Sequence, residues 1–212
     1  GRIMTLTMGA RGGEITFISV YAPPADHKVE EKQDFYDKLT KTIQEARGMV
    51  YIGGDFNARL YERLHHEKEV IGPYILERKD YVTTQDKGKG IGDKTRENRN
   101  MFIDFLKTND LCAINTMIEK GTEQRVTYKE KVPANNPMSE EYKGENTSPY
   151  DYTKYAQCDY IVVPQNRKHT VIDCESKTRW FRDSDHIPLA AKIKTKMKRS
   201  EKKQNFKQSL TI

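Results

Sequence analysis

The sequence predicts an α/β (α+β) domain built as a four-layer α/β/β/α sandwich of two mostly antiparallel sheets. Strand-like segments alternate with two amphipathic helices along most of the chain. Most of the strands follow one another through hairpin-like connections, with polar loops at their ends. The strand over residues 15–21 is apolar on both faces, which is typical of a strand buried between two layers. Two packed sheets flanked by helices account for these three observations.

The first half of the chain predicts three strands and one helix. Residues 3–8 and 14–21 are strand-like and meet at a glycine-rich turn. Asp26 is a candidate N-cap for a helix that ends at Gly48, and residues 49–52 form the next strand. One face of the helix carries apolar residues at helical spacing, namely Val29, Tyr36, Leu39, Ile43 and Ala46. This stripe is expected to face the core.

The second half predicts another helix and the remaining strands. Asn98 is a candidate N-cap for a helix over residues 99–109. Residues 58–97 are interpreted as an irregular polar region, and residues 129–156 as a long insertion. The tyrosines of the insertion either stack on bases or belong to a polar loop without a ligand. The predicted strands cover residues 111–115, 125–128, 159–163, 170–174 and 187–193, and the insertion tyrosines are Tyr142, Tyr150, Tyr152 and Tyr155.

Length and composition indicate one globular domain over residues 1–194 and a basic tail or linker over residues 195–212. The 212 residues, of which 35% are hydrophobic and 32% charged, suffice for one core and are too few for two. The net charge of +6 originates in the tail, because residues 192–207 carry eight basic groups and one acidic group. The tail is expected to be disordered. The near-neutral body stays compatible with DNA binding, since local patches decide that interaction.

Cysteine usage and hydropathy favour an intracellular protein, nuclear or cytoplasmic, that is not secreted. Cys112, Cys158 and Cys174 are odd in number and widely spaced, so neither a disulfide framework nor a zinc site is expected. No apolar run approaches the roughly 20 residues of a membrane helix, and no signal peptide opens the chain. The sequence therefore predicts no membrane partner. It leaves the oligomeric state open, with a monomer favoured.

Five polar side chains at the ends of predicted strands form the candidate site. Asp55 can handle the proton of an attacking water, while Asn57 holds the water or the phosphoryl oxygens. Asp185 suits a hard cation such as Mg²⁺, with Mn²⁺ as an alternative. His186 can donate to a phosphoryl oxygen, and Asp159 can fix its tautomer and charge. The pattern indicates metal-assisted cleavage of a phosphodiester.

Four motifs occur in order along the chain: Tyr21-Ala22-Pro23, Gly54-Asp55-Phe56-Asn57, Cys158-Asp159-Tyr160-Ile161 and Ser184-Asp185-His186. Together they resemble the endonuclease/exonuclease/phosphatase family, the relatives of exonuclease III and DNase I. The stretches around residues 54–58, 105–111 and 114–117 are most similar to endonuclease domains of non-LTR (LINE-type) retrotransposons. Proteins called craniofacial development protein 2-like belong to that group. The resemblance covers about residues 2–195.

The resemblance implies a role for each matching residue of the candidate site. Asp55 would deprotonate water or protonate the leaving oxygen, and Asn57 would position the nucleophile and the phosphate. Asp159 would hydrogen-bond to the catalytic His186. Asp185 would bind the metal ion, which the resemblance implies to be Mg²⁺ or Mn²⁺.

The resemblance also implies contacts with the substrate. Tyr21 would reach the phosphate with its hydroxyl, and Thr127 and Tyr128 would lie beside the nucleic acid. The implied partner is DNA. In a complete retroelement, a reverse transcriptase module would follow downstream.

The chain departs from the family pattern at its N-terminal end. In the family, an asparagine and a metal-binding glutamate precede the Tyr-x-Pro segment, and this chain carries neither. The N-terminal strands of the first sheet are therefore expected to be missing. Activity is expected to be impaired, because Mg²⁺ is bound through very few carboxylates. Two alternatives remain: a non-catalytic relic or domesticated module that binds nucleic acid or protein, and a phosphatase of the same fold.

Overall fold

The computed structural model describes residues 1–10, 12–76, 92–129, 155–177 and 184–195. Three tyrosines of the predicted insertion (Tyr142, Tyr150 and Tyr152) and residues 196–212 of the tail lie outside these ranges. Among the described residues, no helix is both long and apolar enough to cross a bilayer. The elements are β1 (Ile3–Ala10), β2 (Gly13–Tyr21), α1 (Val29–Glu45), β3 (Met49–Asp55), α2 (Asp93–Thr108), β4 (Leu111–Ala113), β5 (Tyr128–Lys129), β6 (Tyr155–Ala156), β7 (Asp159–Pro164), β8 (Val171–Ser176) and β9 (Leu189–Ile193).

A five-stranded sheet in the order β1-β2-β3-β7-β4 forms the centre of the molecule. Three of its four strand pairs are antiparallel, and β2 and β3 are parallel. Parallel neighbours need a crossover connection, which α1 supplies here. Two further pairs, β5-β6 and β8-β9, are antiparallel. The prediction of mostly antiparallel sheets is confirmed.

Two apolar cores lie on opposite faces of the five-stranded sheet. On one face, side chains such as Val20 and Ile52 pack with residues of α1 and α2. On the other face, Ile15 and Tyr51 pack with residues of β8 and β9. Successive residues of a strand point to opposite faces, which explains why β2 and β3 serve both cores. The arrangement is an α/β sandwich, as the sequence predicts.

Both helices differ from the prediction at their N-terminal ends. α1 begins at Val29 with Lys28 at the N-cap and no side-chain cap, so Asp26 does not cap it. α2 begins at Asp93 with Gly92 at the N-cap, which places Asn98 inside the helix. The first residues of α2 are polar, and a polar segment carries no apolar periodicity from which its helical state could be predicted.

Two predicted strands have different bounds because turns replace their ends. The strand expected over residues 111–115 ends at Ala113 and continues as a 3₁₀ turn over Ile114–Thr116. The hydroxyl of Thr116 donates to the carbonyl oxygen of Ala113 at 2.6 Å and closes that turn. The strand expected over residues 125–128 is reduced to Tyr128–Lys129.

A buried ion pair fastens α2 to the segment that follows β3. The Arg99 guanidinium nitrogens lie 2.9 and 2.6 Å from the two carboxylate oxygens of Glu67, and both side chains are almost fully buried. Burial alone would raise the pKa of Glu67, but its hydrogen bonds to Arg99 and to the Leu64 amide hold that pKa below the ordinary value. A two-pronged pair of this kind fixes direction as well as distance.

Candidate active site

Three candidate residues form one row across the sheet, at the ends of β2, β3 and β7. The parallel register of β2 and β3 pairs Tyr21 with Asp55, and the antiparallel register of β3 and β7 pairs Asp55 with Asp159. Directly paired residues point to the same face of a sheet. By alternation from Tyr51, this is the face that packs against β8 and β9. The three side chains therefore lie side by side at one end of the sandwich.

The backbone before Asp55 has a conformation that requires glycine. Gly54 has a φ of +145°, and a Cβ at this position would lie 2.0 Å from the carbonyl oxygen of Val20. Phe56, the next residue but one, is fully buried, with its ring centroid 4.6 Å from that of Phe102 on α2. Gly54 lets β3 approach β2 closely, and Phe56 anchors the chain on the other side of Asp55.

Asn57 orients the carboxylate of Asp55. Its backbone has a φ of 49°, a left-handed conformation that asparagine tolerates better than most residues. The amide nitrogen of Asn57 donates to Asp55 Oδ1 at 2.7 Å, and its side-chain Nδ2 donates to the carbonyl oxygen of Ala22 at 2.8 Å. One carboxylate oxygen of Asp55 is thus held by the backbone, and Oδ2 faces the site.

His186 approaches this row from the segment that precedes β9. Its Nδ1 lies 3.0 Å from Asp159 Oδ2, and its Nε2 lies 3.8 Å from Asp55 Oδ2. The backbone amide of His186 donates to Ser184 Oγ at 3.0 Å, which holds the segment in place. When Nδ1 donates its proton to Asp159, Nε2 is directed at Asp55 and at the opening of the site. The structure therefore brings Asp55, Asp159 and His186 together.

Thr127 and Tyr128 lie next to this cluster but differ in exposure. Thr127 is fully buried, and its Oγ1 accepts hydrogen bonds from the amides of Cys158 (3.1 Å) and Asp159 (3.0 Å). The Thr127 side chain thus holds the amide of Asp159 in place, and its contact with nucleic acid remains a prediction. The Tyr128 ring is half-buried and meets the imidazole of His186 edge to face at 5.1 Å.

Tyr21 and Asp185 lie at the rim of the cluster. Tyr21 is 52% exposed, and the guanidinium carbon of Arg2 is 5.1 Å from its ring centroid. Asp185 is half-buried and directly precedes His186, and its charge is among the influences that raise the pKa of that imidazole. The roles of Tyr21 toward a phosphate and of Asp185 toward a metal ion remain predictions.

Burial and mutual repulsion change the protonation of the cluster. Burial, followed by the charge of Asp159, raises the pKa of Asp55 from 3.8 to about 6. The hydrogen bond to Asp159 raises the pKa of His186 above 6.5, although burial opposes this shift. A carboxylate whose pKa lies close to neutral pH suits a general base, and a protonated imidazole suits a hydrogen-bond donor to an anion. The two pKa shifts therefore favour a base at Asp55 and a proton donor at His186.

Two buried amide side chains support the site, and neither was predicted to do so. Asn98 donates from Nδ2 to the carbonyl oxygens of Asn57 (3.0 Å) and Pro23 (3.2 Å). Asn115 donates from Nδ2 to the carbonyl oxygen of Asp159 at 3.3 Å. Their only signal in the sequence is a polar residue next to an apolar stretch. That signal does not identify a distant partner.

The fold is that of the endonuclease/exonuclease/phosphatase structures. The chain is similar to the 3' phosphatase NExo from Neisseria bound to a product DNA hairpin, with a TM-score of 0.56 and 17% identity over 91% of this chain and 65% of that one. It is similar to the AP endonuclease LMAP from Leishmania major, with a TM-score of 0.57 and 16% identity over 90% and 54% of the two chains. For the endonuclease domain of TRAS1, a telomere-specific non-LTR retrotransposon, the TM-score is 0.51 and the identity 12%, over 92% and 62%.

The chain thus spans between 54% and 65% of the length of these three structures. No protein-family model and no curated protein sequence matches it. At identities of 12% to 17%, the likeness establishes the fold. The activity has to be argued from the site itself.

Proposed function

We propose that this chain belongs to a divalent-metal-dependent nuclease that hydrolyses phosphodiester bonds of DNA. The observation that carries this proposal is the position of His186, which lies 3.0 Å from Asp159 and 3.8 Å from Asp55. The site then combines a base (Asp55), an imidazole donor (His186) and a carboxylate that orients the imidazole (Asp159). Attack by water on a phosphodiester requires these groups at one opening. Two structures of the same fold are described as an AP endonuclease and a 3' phosphatase bound to DNA, which supports DNA as the substrate.

Asp55 and His186 divide the proton transfers between them. Asp55 Oδ2 accepts a proton from the attacking water, because its raised pKa of about 6 makes the carboxylate a stronger base than an exposed aspartate. The imidazolium of His186 donates from Nε2 to a non-bridging oxygen of the phosphate and stabilises the charge that develops there. Asp159 raises the pKa of His186, which favours its protonated form, and orients the imidazole through the hydrogen bond to Nδ1. The side-chain amide of Asn57, whose Nδ2 donates to the carbonyl oxygen of Ala22, is the group that we expect to position the phosphate.

The donor chemistry of the cluster fits a hard divalent cation. The charges of Asp159, Asp55 and Asp185 all act on the imidazole of His186, and the charge of Asp159 adds to burial in raising the pKa of Asp55. Mg²⁺ is held by one or two carboxylates together with water and substrate phosphates, so Asp185 is the residue that we expect to hold it. The bound cation, Mg²⁺ or Mn²⁺, supplies neutralisation of the phosphoryl charge.

We further propose that the nuclease is the target-nicking domain of a retroelement. The four ordered motifs support this origin, and so does the shared fold with the endonuclease domain of TRAS1. In this setting the protein would act inside the cell, nuclear or cytoplasmic, and a reverse transcriptase module would follow it. Tyr21 and Tyr128 flank the cluster and are the side chains that we expect to contact DNA.

A plasmid-nicking assay tests the proposal. The natural polypeptide that contains these 212 residues is incubated with supercoiled DNA and Mg²⁺, in parallel with Asp55→Ala and His186→Ala variants. We expect each substitution to slow nicking by about 10²- to 10⁴-fold, because each removes a proton-transfer group. A chelator should abolish nicking in every sample.

Matched controls separate a catalytic loss from a general effect of substitution. Asp34→Ala and His27→Ala remove the same two residue types from an exposed position on α1 and a partly exposed position before it, and both should nick at the rate of the unchanged protein. Undiminished nicking by Asp55→Ala and His186→Ala would refute the assigned roles. DNA binding that weakens with salt, without any nicking, would favour the non-catalytic alternative.

A further inference from the structure

We propose that Cys158, Asp159 and His186 form a binding site for a thiophilic divalent cation such as Zn²⁺. Each of the three offers one ligand atom, and these atoms all lie within 4.8 Å of one another. Sulfur, imidazole nitrogen and carboxylate oxygen are the three donor types that Zn²⁺ takes in proteins. This donor set differs from the oxygen donors that a hard cation prefers, so the site selects another class of metal.

The spacing of the donor atoms suits a tetrahedral ion. Bond lengths of 2.0 to 2.3 Å place the ligand atoms of tetrahedral Zn²⁺ about 3.4 to 3.6 Å apart. Cys158 Sγ already lies 3.5 Å from Asp159 Oδ2, and His186 Nδ1 lies 3.0 Å from the same oxygen. Small side-chain rotations therefore bring the three atoms to bonding distance. The fourth position is completed by a water molecule or by Asp55, whose Oδ2 lies 3.8 Å from His186 Nε2.

The surroundings favour a cation at this point. Burial raises the pKa of the Cys158 thiol well above its ordinary value, and the charges of Asp159 and Asp55 raise it further. The carboxylates that oppose a free thiolate attract a metal ion, and an ion that binds there replaces the thiol proton. The side chains of His186 and Asp159 are partly exposed, at 35% and 16%, so the ion has a route from solvent.

The other two thiols lack comparable partners. In the described ranges, this cluster is the one group of at least three cysteine, histidine or acidic side chains whose ligand atoms come together. Cys112 and Cys174 are buried in the apolar core between the five-stranded sheet and the β8-β9 pair. They therefore serve as matched controls for Cys158.

Occupancy of this site would compete with nuclease activity, a consequence that rests on the proposed function. The cation would take a nitrogen of His186 and the carboxylate of Asp159, the two groups that the proposed reaction needs free. We therefore expect Zn²⁺ to inhibit Mg²⁺-supported nicking.

Cobalt spectroscopy tests the site without any need for cleavage. Co²⁺ is added to the reduced 212-residue chain at neutral pH, and the thiolate-to-cobalt charge-transfer band is followed in the near ultraviolet. We expect a saturable band that Zn²⁺ abolishes by competition. Cys158→Ser should remove the band, Cys112→Ser and Cys174→Ser should keep it, and His186→Ala should weaken Co²⁺ binding by at least about tenfold.

Each other outcome overturns the inference. It fails if the unchanged chain gives no band, if Cys158→Ser retains the band, or if His186→Ala binds Co²⁺ as tightly as before. A measurement on the unchanged chain guards against a misfolded variant: Zn²⁺ should slow alkylation of Cys158, and alkylation at an unchanged rate would equally refute the site. A cobalt band in a protein that never cleaves DNA would refute the proposed function and leave the metal site standing.

Discussion

At the scale of single residues, the properties that suit Asp55 to its proposed catalytic role also lower the stability of the protein. Asp55 is 8% exposed and lies opposite Asp159 in the sheet. Its folded-state pKa of about 6, compared with the ordinary value of 3.8, means that the folded protein binds this proton more tightly than the unfolded chain. Below pH 3.8 the group is protonated in both states. Above pH 6 the folded state carries an ionised buried carboxylate, and stability falls across that interval.

Asp55→Asn is therefore expected to stabilise the protein at neutral pH. The difference between the two pKa values corresponds to at most about 3 kcal/mol. Asparagine keeps the shape of the protonated acid and lacks the charge. We expect the free energy of unfolding at pH 7 to rise by about 1 to 3 kcal/mol, and the gain to vanish below about pH 4.

Urea unfolding of both proteins between pH 4 and pH 7 measures this effect. A chelator is included, because a bound cation would offset the repulsion. Asp34→Asn, at an exposed position on α1, is the matched control and should change stability by less than about 0.5 kcal/mol. An Asp55→Asn protein that is less stable than the original at pH 7 would contradict the prediction.

At the scale of secondary-structure elements, the end of β3 depends on one glycine. A side chain at Gly54 would meet the backbone of β2, since its Cβ would lie 2.0 Å from the carbonyl oxygen of Val20, and the φ of +145° is itself unfavourable for other residues. Gly54→Ala should reduce the free energy of unfolding by at least about 2 kcal/mol. Thermal or urea unfolding followed by circular dichroism measures the loss.

Gly121→Ala provides the comparison for this substitution. The nearest atom to a Cβ there is the flexible Gln124 Oε1 at 3.6 Å, and the φ of −60° is ordinary. Stability should therefore change by no more than about 1 kcal/mol. Equal losses for the two variants would show that the close approach of β3 to β2 is not the cause.

The sequence predicted the elements better than their partners. Apolar periodicity identified α1 and most strands, because burial of one face leaves a regular pattern. The sequence pattern gave a wrong role for Asn98. Its position beside an apolar stretch is typical of an N-cap, but it lies inside α2. In the structure its side-chain amide is buried and donates to the carbonyl oxygens of Asn57 and Pro23, which lie 41 and 75 positions earlier in the chain. Local patterns do not contain contacts of that range.

The candidate site was also predicted only in part, because local patterns do not contain long-range contacts. The motifs single out Asp55, Asp159 and His186 by residue type, and the structure brings these three together. Residue type alone did not show that Thr127 is buried or that Cys158 lies against the cluster. Exposure and proximity depend on how β3, β7 and the segment before β9 come together, which no local segment determines.

At the scale of the whole molecule, the outer strand of the main sheet carries an apolar surface. Met4, Leu6 and Met8 on β1 are 71%, 59% and 38% exposed, and β1 has β2 as its one neighbour among the described strands. A strand edge with exposed apolar side chains promotes association between molecules. We expect the 212-residue chain to aggregate through this strand.

Leu6→Lys should raise the soluble yield and lower the particle size measured by dynamic light scattering at increasing protein concentration. The charge both removes apolar surface and disfavours pairing of edges. Thr5→Lys adds the same charge to the same strand on the opposite face, and should improve solubility less. If both variants aggregate like the original, β1 is not the surface responsible.

The row formed by Tyr21, Asp55 and Asp159 also has a consequence for how the protein folds. Its members come from three strands far apart in the chain, and His186 arrives from a fourth region still later. A slip of one position between β3 and β7 would turn one of the two aspartates toward the helices, so a partly assembled intermediate lacks the proposed active site. Long-range pairings of this kind form slowly. Any nuclease activity should therefore be recovered only in the last, cooperative step of refolding.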